Sequence, residues 1–222
     1  MFTEGGILVV AYLPMKDIAA RNEQIRRLTI ASEYGFENDP DTAKYTIMVP
    51  RDETDQTSVW VFEEYASQAA LDVHTEWPPV KDIIAFMMSE NPLAGAPIVH
   101  ELPVTDLSFA REEVTQYGDP YIAVTEIEYH LSIIPNVMPY WKEVVEASRK
   151  ETGTLVYGVY PHPTDPNKLF TIEVYKSKDY LCDVHAKSEA VVENIKDTKD
   201  MRKGLKPIFL KKVSGYLYRP SS

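Results

Sequence analysis

The sequence predicts an α+β protein made of two tandem β-α-β-β-α-β units, and three observations carry that prediction. First, residues 59–74 (VWVFEEYASQAALDVH) and 169–185 (LFTIEVYKSKDYLCDVH) repeat one pattern. Each runs from a β-rich stretch through an acid-x-Tyr step and a serine-bearing turn into a helical start that ends Asp-Val-His. Second, the segments flanking the two copies recur in the same order. Third, residues 59–65 are apolar at both alternating sets of positions, Val59/Val61 and Trp60/Phe62, as a strand buried on both faces requires.

The first unit opens with an apolar strand at 7–13, followed by a helix at 18–34 and a strand at 43–49 (AKYTIMV) rich in Tyr, Thr, Ile and Val. The strand at 59–65, a helix starting after Ser67 and a strand at 98–103 complete it. The second unit opens with a strand at 122–129. In the helix at 136–151, Val137, Tyr140, Trp141, Val144, Val145 and Ser148 fall at helical spacing, and Pro135 and Pro139 suit a first turn. A strand at 154–160 (TLVYGVY), the strand ending at Tyr175, a helix starting after Ser177 and a strand at 207–218 follow. The copies differ by one extra residue between Tyr175 and His185.

The repeats therefore span 1–106 and 121–222, and 107–120 lacks periodicity and reads as a linker. Such a ferredoxin-like unit lays two helices on one face of an antiparallel sheet and leaves the other face apolar. Two copies can bury those open faces against each other as a pseudo-dimeric barrel. The pairing can occur within one chain, giving a monomer, or between chains, giving a homodimer.

Composition narrows the function. The 222-residue chain carries 23 Lys and Arg against 34 Asp and Glu, a net charge of −11. A surface that acidic repels phosphate backbones and anionic lipid, which argues against nucleic-acid and membrane partners. Cys182 is the single cysteine, so no intramolecular disulfide forms, which favours a reducing compartment. The apolar start has no basic segment before it, and no apolar run reaches membrane-spanning length, so a cytoplasmic protein is expected. G-x-G-x-x-G, P-loop, G-x-S-x-G and C-x-x-C motifs are all missing. His74, His100, His130, His162 and His185 lack metal-ligand spacing. The expectation is no metal and no cofactor.

The run Glu151-Thr152-Gly153-Thr154-Leu155-Val156-Tyr157, then a strand ending Glu173-Val174-Tyr175, a serine and a helix carrying His185, resembles the antibiotic biosynthesis monooxygenase domain of the dimeric α/β-barrel superfamily. The first half matches more loosely, through Glu64-Tyr65, Ala70-Leu71 and His74, and tandem forms of this domain resemble those of filamentous fungi. The resemblance implies a pocket between sheet and helices. It also implies oxygenation of phenolic, anthrone or quinol substrates by O2 without metal or flavin, in secondary metabolism. Haem-degrading relatives use an Asn on the first strand and a histidine about ten residues beyond the place of His74. Here neither first strand holds an Asn, and Ile84 and Ile195 stand in the histidine's place.

His74 and His185 are the sharpest catalytic candidates. A histidine beside an apolar pocket can take a proton from a phenol or activated C–H. A role in orienting the strand-to-helix turn would be repeated by duplication just as well. Tyr65 and Tyr175 join them as donors to a substrate oxygen, and Trp60, Trp77, Trp141 and Tyr157 are expected as an aromatic substrate-binding wall. Glu63 and Glu173 end apolar strands, and the basic run from Arg202 to Lys212 reads as solvated surface. Three functions follow: a cofactor-independent monooxygenase acting on an aromatic or polyketide-like molecule, a non-oxidative cyclase or isomerase, and a non-enzymatic ligand-binding or stress-responsive protein.

Overall fold

A computed structural model describes residues 5–220, which divide into two compact units. The first comprises residues up to Val104 together with those from Lys211 onward; the second is Thr105–Leu210.

The first unit runs β1 (Ile7–Pro14), α1 (Ile18–Asn38), β2 (Thr42–Pro50), β3 (Ser58–Tyr65), α2 (Gln68–Thr75), α3 (Pro78–Glu90) and β4 (Ile98–Pro103). Its strands lie in the order β4-β1-β3-β2, all neighbours antiparallel. α1 starts where Asp17 accepts a hydrogen bond from the Ala20 amide at 2.7 Å. Its last carbonyls are taken by Arg219, whose guanidinium donates to Gly35, Phe36 and Asp39 oxygens. Leu28, Ala31, Tyr45, Ile47, Val59, Val61, Trp77 and Val80 form the core between sheet and helices. The odd-numbered residues of β3 therefore face the helices and the even ones face the other way. Both sets are buried, as the doubly apolar pattern requires.

The second unit contains β5 (Ser108–Ala110), β6 (Tyr121–Tyr129), α4 (Ile134–Ser148), β7 (Thr154–Pro161), β8 (Lys168–Tyr175), α5 (Lys178–Asp183), α6 (Glu189–Thr198) and the start of β9 (Arg202–Tyr216). Its strand order is β9-β6-β8-β7-β5. Residues 211–216 of β9 belong to the first unit, where the Tyr216 carbonyl accepts from Thr46 Oγ1 at 2.6 Å.

Three expectations change. The second helix of each unit is broken. In the first unit the break falls at Trp77, before the adjacent prolines Pro78 and Pro79 that lack N–H groups. In the second, Val184 departs from helical geometry (φ −114°, ψ −68°) and a 3-10 turn, His185–Lys187, separates α5 from α6. Residues 107–120, expected as a linker, carry β5 and a 3-10 turn at Glu112–Gln116; three residues are too few for alternation to show. Pro139 lies inside α4 rather than in its first turn. The serines of the repeat prove to be N-caps, Ser67 accepting from Ala70 N at 3.3 Å and Ser177 from Tyr180 N at 3.1 Å. Among the described residues no helix is long and apolar enough to cross a membrane.

Candidate functional site

Strand register builds the same constellation twice. Tyr45 on β2 sits opposite Glu63 on β3, and Tyr157 on β7 sits opposite Glu173 on β8. Two residues on, Tyr65 and Tyr175 point to the same helix-facing side. Tyr65 donates its hydroxyl to Glu63 Oε2 and Tyr175 donates to Glu173 Oε2, each at 2.7 Å. The break in the second helix sets a histidine against each tyrosine pair. His74 lies 5.8 Å from the Tyr45 ring, 5.1 Å from Tyr65 and 4.6 Å from Trp77. His185 lies 5.3 Å from Tyr157 and 5.0 Å from Tyr175.

All four tyrosines are pushed up well beyond the usual phenol range, first by burial and then by the facing glutamate. They remain protonated at neutral pH and act as donors. The bases beside them are the imidazoles and the facing carboxylates.

The two histidines differ in their partners. His185 Nδ1 stands 3.0 Å from Glu151 Oε2, a carboxylate in the turn after α4 that also accepts from Thr154 Oγ1. Burial pushes Glu151 up, but its hydrogen bonds from His185 and Thr154 outweigh burial and hold it below the usual carboxylate range. In the first unit Asp39 occupies the matching place, three residues before Thr42, and accepts from Thr42 Oγ1 at 3.0 Å. One methylene shorter, it makes no hydrogen bond to His74, whose Nδ1 is buried without a partner. Nε2 of His74 lies 3.8 Å from Glu63. Burial pushes His74 down, against the opposing pull of Glu63 and Asp39.

Trp77 lies against His74, and its indole fits only because Gly35 on α1 has no side chain: a Cβ there would stand 2.6 Å from the ring. Gly153 does the same for Tyr180, at 2.5 Å. Trp141 reaches across from α4 to donate to the Tyr129 hydroxyl at 2.9 Å, within the second unit's core with Tyr157. Trp60 is placed apart from His74. It stands on the even face of β3, which turns away from the helices, and packs on Tyr12 at 5.1 Å. The alternation of 59–65 made Trp60 legible as a strand residue but not which face the helices cover. Sequence reasoning also missed Tyr45 and Tyr129, as well as Arg202, which is half-buried against Trp141 rather than solvated. The repeated tyrosines at Tyr45 and Tyr157 were the available signal.

A surface groove of about 320 Å³ in the first unit, lined by Ser32, Glu33, Phe36, Glu37 and residues 214–216, involves none of the predicted site residues. Among the described residues no three His, Cys, Asp or Glu side chains come together as a metal-holding group.

Comparison with known proteins bears out the resemblance and the fold. Residues 135–196 match the family profile of Antibiotic biosynthesis monooxygenase. That span contains Glu151, Tyr157, Glu173, Tyr175 and His185. A crystal structure from Fusobacterium nucleatum, of a protein provisionally assigned as a monooxygenase, covers 100% of both chains at 20% identity with a TM-score of 0.84. Another from Lactobacillus acidophilus, assigned in the same way, covers 98% of this chain and 100% of its own at 17% identity and TM-score 0.79. An anthrone oxidase-like protein aligns over 95% of this chain and 92% of its own at 10% identity and TM-score 0.62. At these identities the likeness shows a shared fold. No curated protein matches the chain.

Proposed function

We propose that the protein is a cofactor-independent monooxygenase that oxidises an aromatic or polyketide-like small molecule with O2, and that its second unit is the reacting one. The observation that carries this reading is the 3.0 Å contact between His185 Nδ1 and Glu151, inside the span that matches the monooxygenase family. An ionised Glu151 holds Nδ1 as the N–H, which leaves Nε2 as the basic nitrogen. Nε2 removes a proton from an activated methylene or a phenol, and Glu151 stabilises the imidazolium. The resulting anion gives one electron to O2. The two radicals combine into a carbon-bound peroxide, and loss of water with the second C–H hydrogen leaves a carbonyl. The step balances: one methylene and one O2 give one carbonyl and one water, with the carbon oxidised and both oxygen atoms reduced. Secondary metabolism in the cytoplasm is the setting this chemistry suggests.

The test is oxygen uptake by metal-stripped, flavin-free protein offered anthrones, naphthols and hydroquinones, with products followed by mass spectrometry. Enzyme-dependent uptake with incorporation of one oxygen atom is expected. Turnover unchanged under anaerobic conditions would replace this reading with a cyclase or isomerase that uses the same His185–Glu151 pair. Ligand binding with no product would assign a binding protein.

A further inference from the structure

Glu151 reaches His185 from a short turn, residues 149–153, between the end of α4 and the start of β7. One side chain ties that turn at both ends. Arg111, which follows β5, donates from Nε to the Thr154 carbonyl at 3.1 Å and from Nη2 to the Arg149 carbonyl. The Arg149 carbonyl is one of those that a helix end leaves without an intrahelical partner. Thr154 is the residue whose hydroxyl also donates to Glu151 Oε2. Arg149 answers in the opposite direction, from Nη2 to the Asp106 and Ser108 carbonyls at 2.9 Å each. Phe109 lies against both guanidiniums, its ring centre 5.5 Å from Arg111 and 4.9 Å from Arg149. On β5 it pairs with Tyr157, one of the two tyrosine rings against His185. A guanidinium presents its donors as a rigid fork, so two carbonyls on one fork are held at a set spacing.

The first unit repeats the clamp with a different outcome. Arg219 donates to the Thr42 carbonyl at 3.2 Å and to the Phe36 and Asp39 carbonyls, and it stands 4.9 Å from the centre of the Phe36 ring. Thr42 and Thr154 each follow their acid by three residues, so the two arginines hold matching turns. In the first unit the clamp ends at the turn, because Asp39 makes no hydrogen bond to His74 and Nδ1 is left without a partner. In the second unit the chain of contacts runs on, from Arg111 through the turn to Glu151 and from Glu151 to His185 Nδ1.

We infer that Arg111 is a positioning residue for the acid–base pair of the second unit: it fixes the turn from which Glu151 keeps the His185 proton on Nδ1 and leaves Nε2 free as the base. A 3.0 Å hydrogen bond has little slack, and a drift of the turn by about 1 Å would take Glu151 out of range. Arg111 touches neither reacting group; it acts through Glu151. This rests on the second unit being the reacting one, and it makes the segment 105–111, which precedes the first strand of the second repeat, a working part of that repeat's site.

The test reads the ring nitrogens of His185 by nuclear magnetic resonance in the intact, isotope-labelled protein, at a pH where free imidazole is neutral. The wild type should carry the proton on Nδ1. Arg111→Met should move the signals toward a mixture of the two tautomers. It should also lower kcat for oxygen uptake on the anthrone and naphthol panel about 10- to 100-fold, with KM within a few-fold. Arg219→Met, which cuts the matching clamp of the first unit, should leave the His185 signals and kcat as in the wild type. If Arg111→Met does not fold, as judged by circular dichroism, Arg111→Gln, which lacks the fork, takes its place with the same expected change. A His185 proton that stays on Nδ1 in the folded Arg111 variant, that sits on Nε2 in the wild type, or that moves as far in Arg219→Met overturns the inference. A tautomer that follows Arg111 in a protein without oxygen uptake on any substrate leaves the clamp standing and removes the monooxygenase reading. Intact uptake by an Arg111 variant whose tautomer is unchanged does the reverse.

Discussion

His185 Nδ1 lies 3.0 Å from Glu151 Oε2, whereas its counterpart His74 has an Nδ1 with no hydrogen-bond partner. Duplication made two similar constellations, and one methylene separates them: Glu151 reaches its histidine and Asp39 does not.

The catalytic consequence is unequal. His185→Ala is expected to lower kcat/KM for oxygen-consuming turnover by about 10²–10⁴-fold, the usual contribution of a general base. His74→Ala should leave it within a few-fold. Glu151→Gln should lower kcat while leaving KM within a few-fold, because the imidazolium formed in the reaction loses its counter-charge at 3.0 Å. A merely structural role for Glu151 would raise KM together with the loss of kcat.

His74 gives the stability of the protein a pH dependence of its own. Burial holds its folded-state value below the ordinary 6.5, so as pH falls below 6.5 the unfolded chain takes up a proton that the folded chain resists. Stability should therefore decline as pH falls below about 6.5, and His74→Phe should flatten that part of a thermal-melt series. Glu151 works in a lower window: held below 4.5, it contributes stability above that value, which is lost as the acid range is entered. A wild-type melt series that stays level as pH falls below about 6.5 would contradict the assignment for His74.

On the even face of β3, Lys44 pairs with Glu64, with side chains 9% and 2% exposed. The aligned positions of the second unit are Val156 and Val174, which occupy the same register. Glu64→Val alone leaves a buried ammonium unpaired and should cost about 3–5 kcal/mol in urea unfolding. Changing both to valine, as the second unit has them, should be neutral or stabilising. A double variant as unstable as the single one would show that the ion pair itself is needed.

Gly153→Ala would drive a Cβ to 2.5 Å from the Tyr180 ring and should destabilise by about 1–3 kcal/mol. Adding Tyr180→Ala should recover part of that loss, giving a less-than-additive double-mutant cycle by thermal denaturation. Additive losses would mean that the glycine serves its turn and not the ring.

Most strands were legible because burial on a sheet imposes a period of two that short windows reveal: the expected 7–13 became Ile7–Pro14 and the expected 59–65 became Ser58–Tyr65. The repeated Ser was legible because each copy keeps it two residues after its tyrosine, and the His because each copy places it at the end of an Asp-Val-His run. Arg202 was read as part of a solvated basic run because its neighbours Lys203 and Lys206 are charged and close in sequence, and only packing against α6 and Trp141 buries it. Trp60 was grouped with the site because composition does not record which sheet face the helices cover.

By itself, then, the sequence determined the repeat, the order of elements and the pairing of one histidine with one acid-bearing strand in each unit. These follow from local periodicity and capping, which act over a few residues. Tertiary structure alone decided which histidine has a carboxylate hydrogen-bonded at Nδ1, that Asn194 and Arg202 meet, and that Trp60 faces away. Those outcomes depend on distances between elements far apart in the chain, where one methylene or one strand face changes the chemistry.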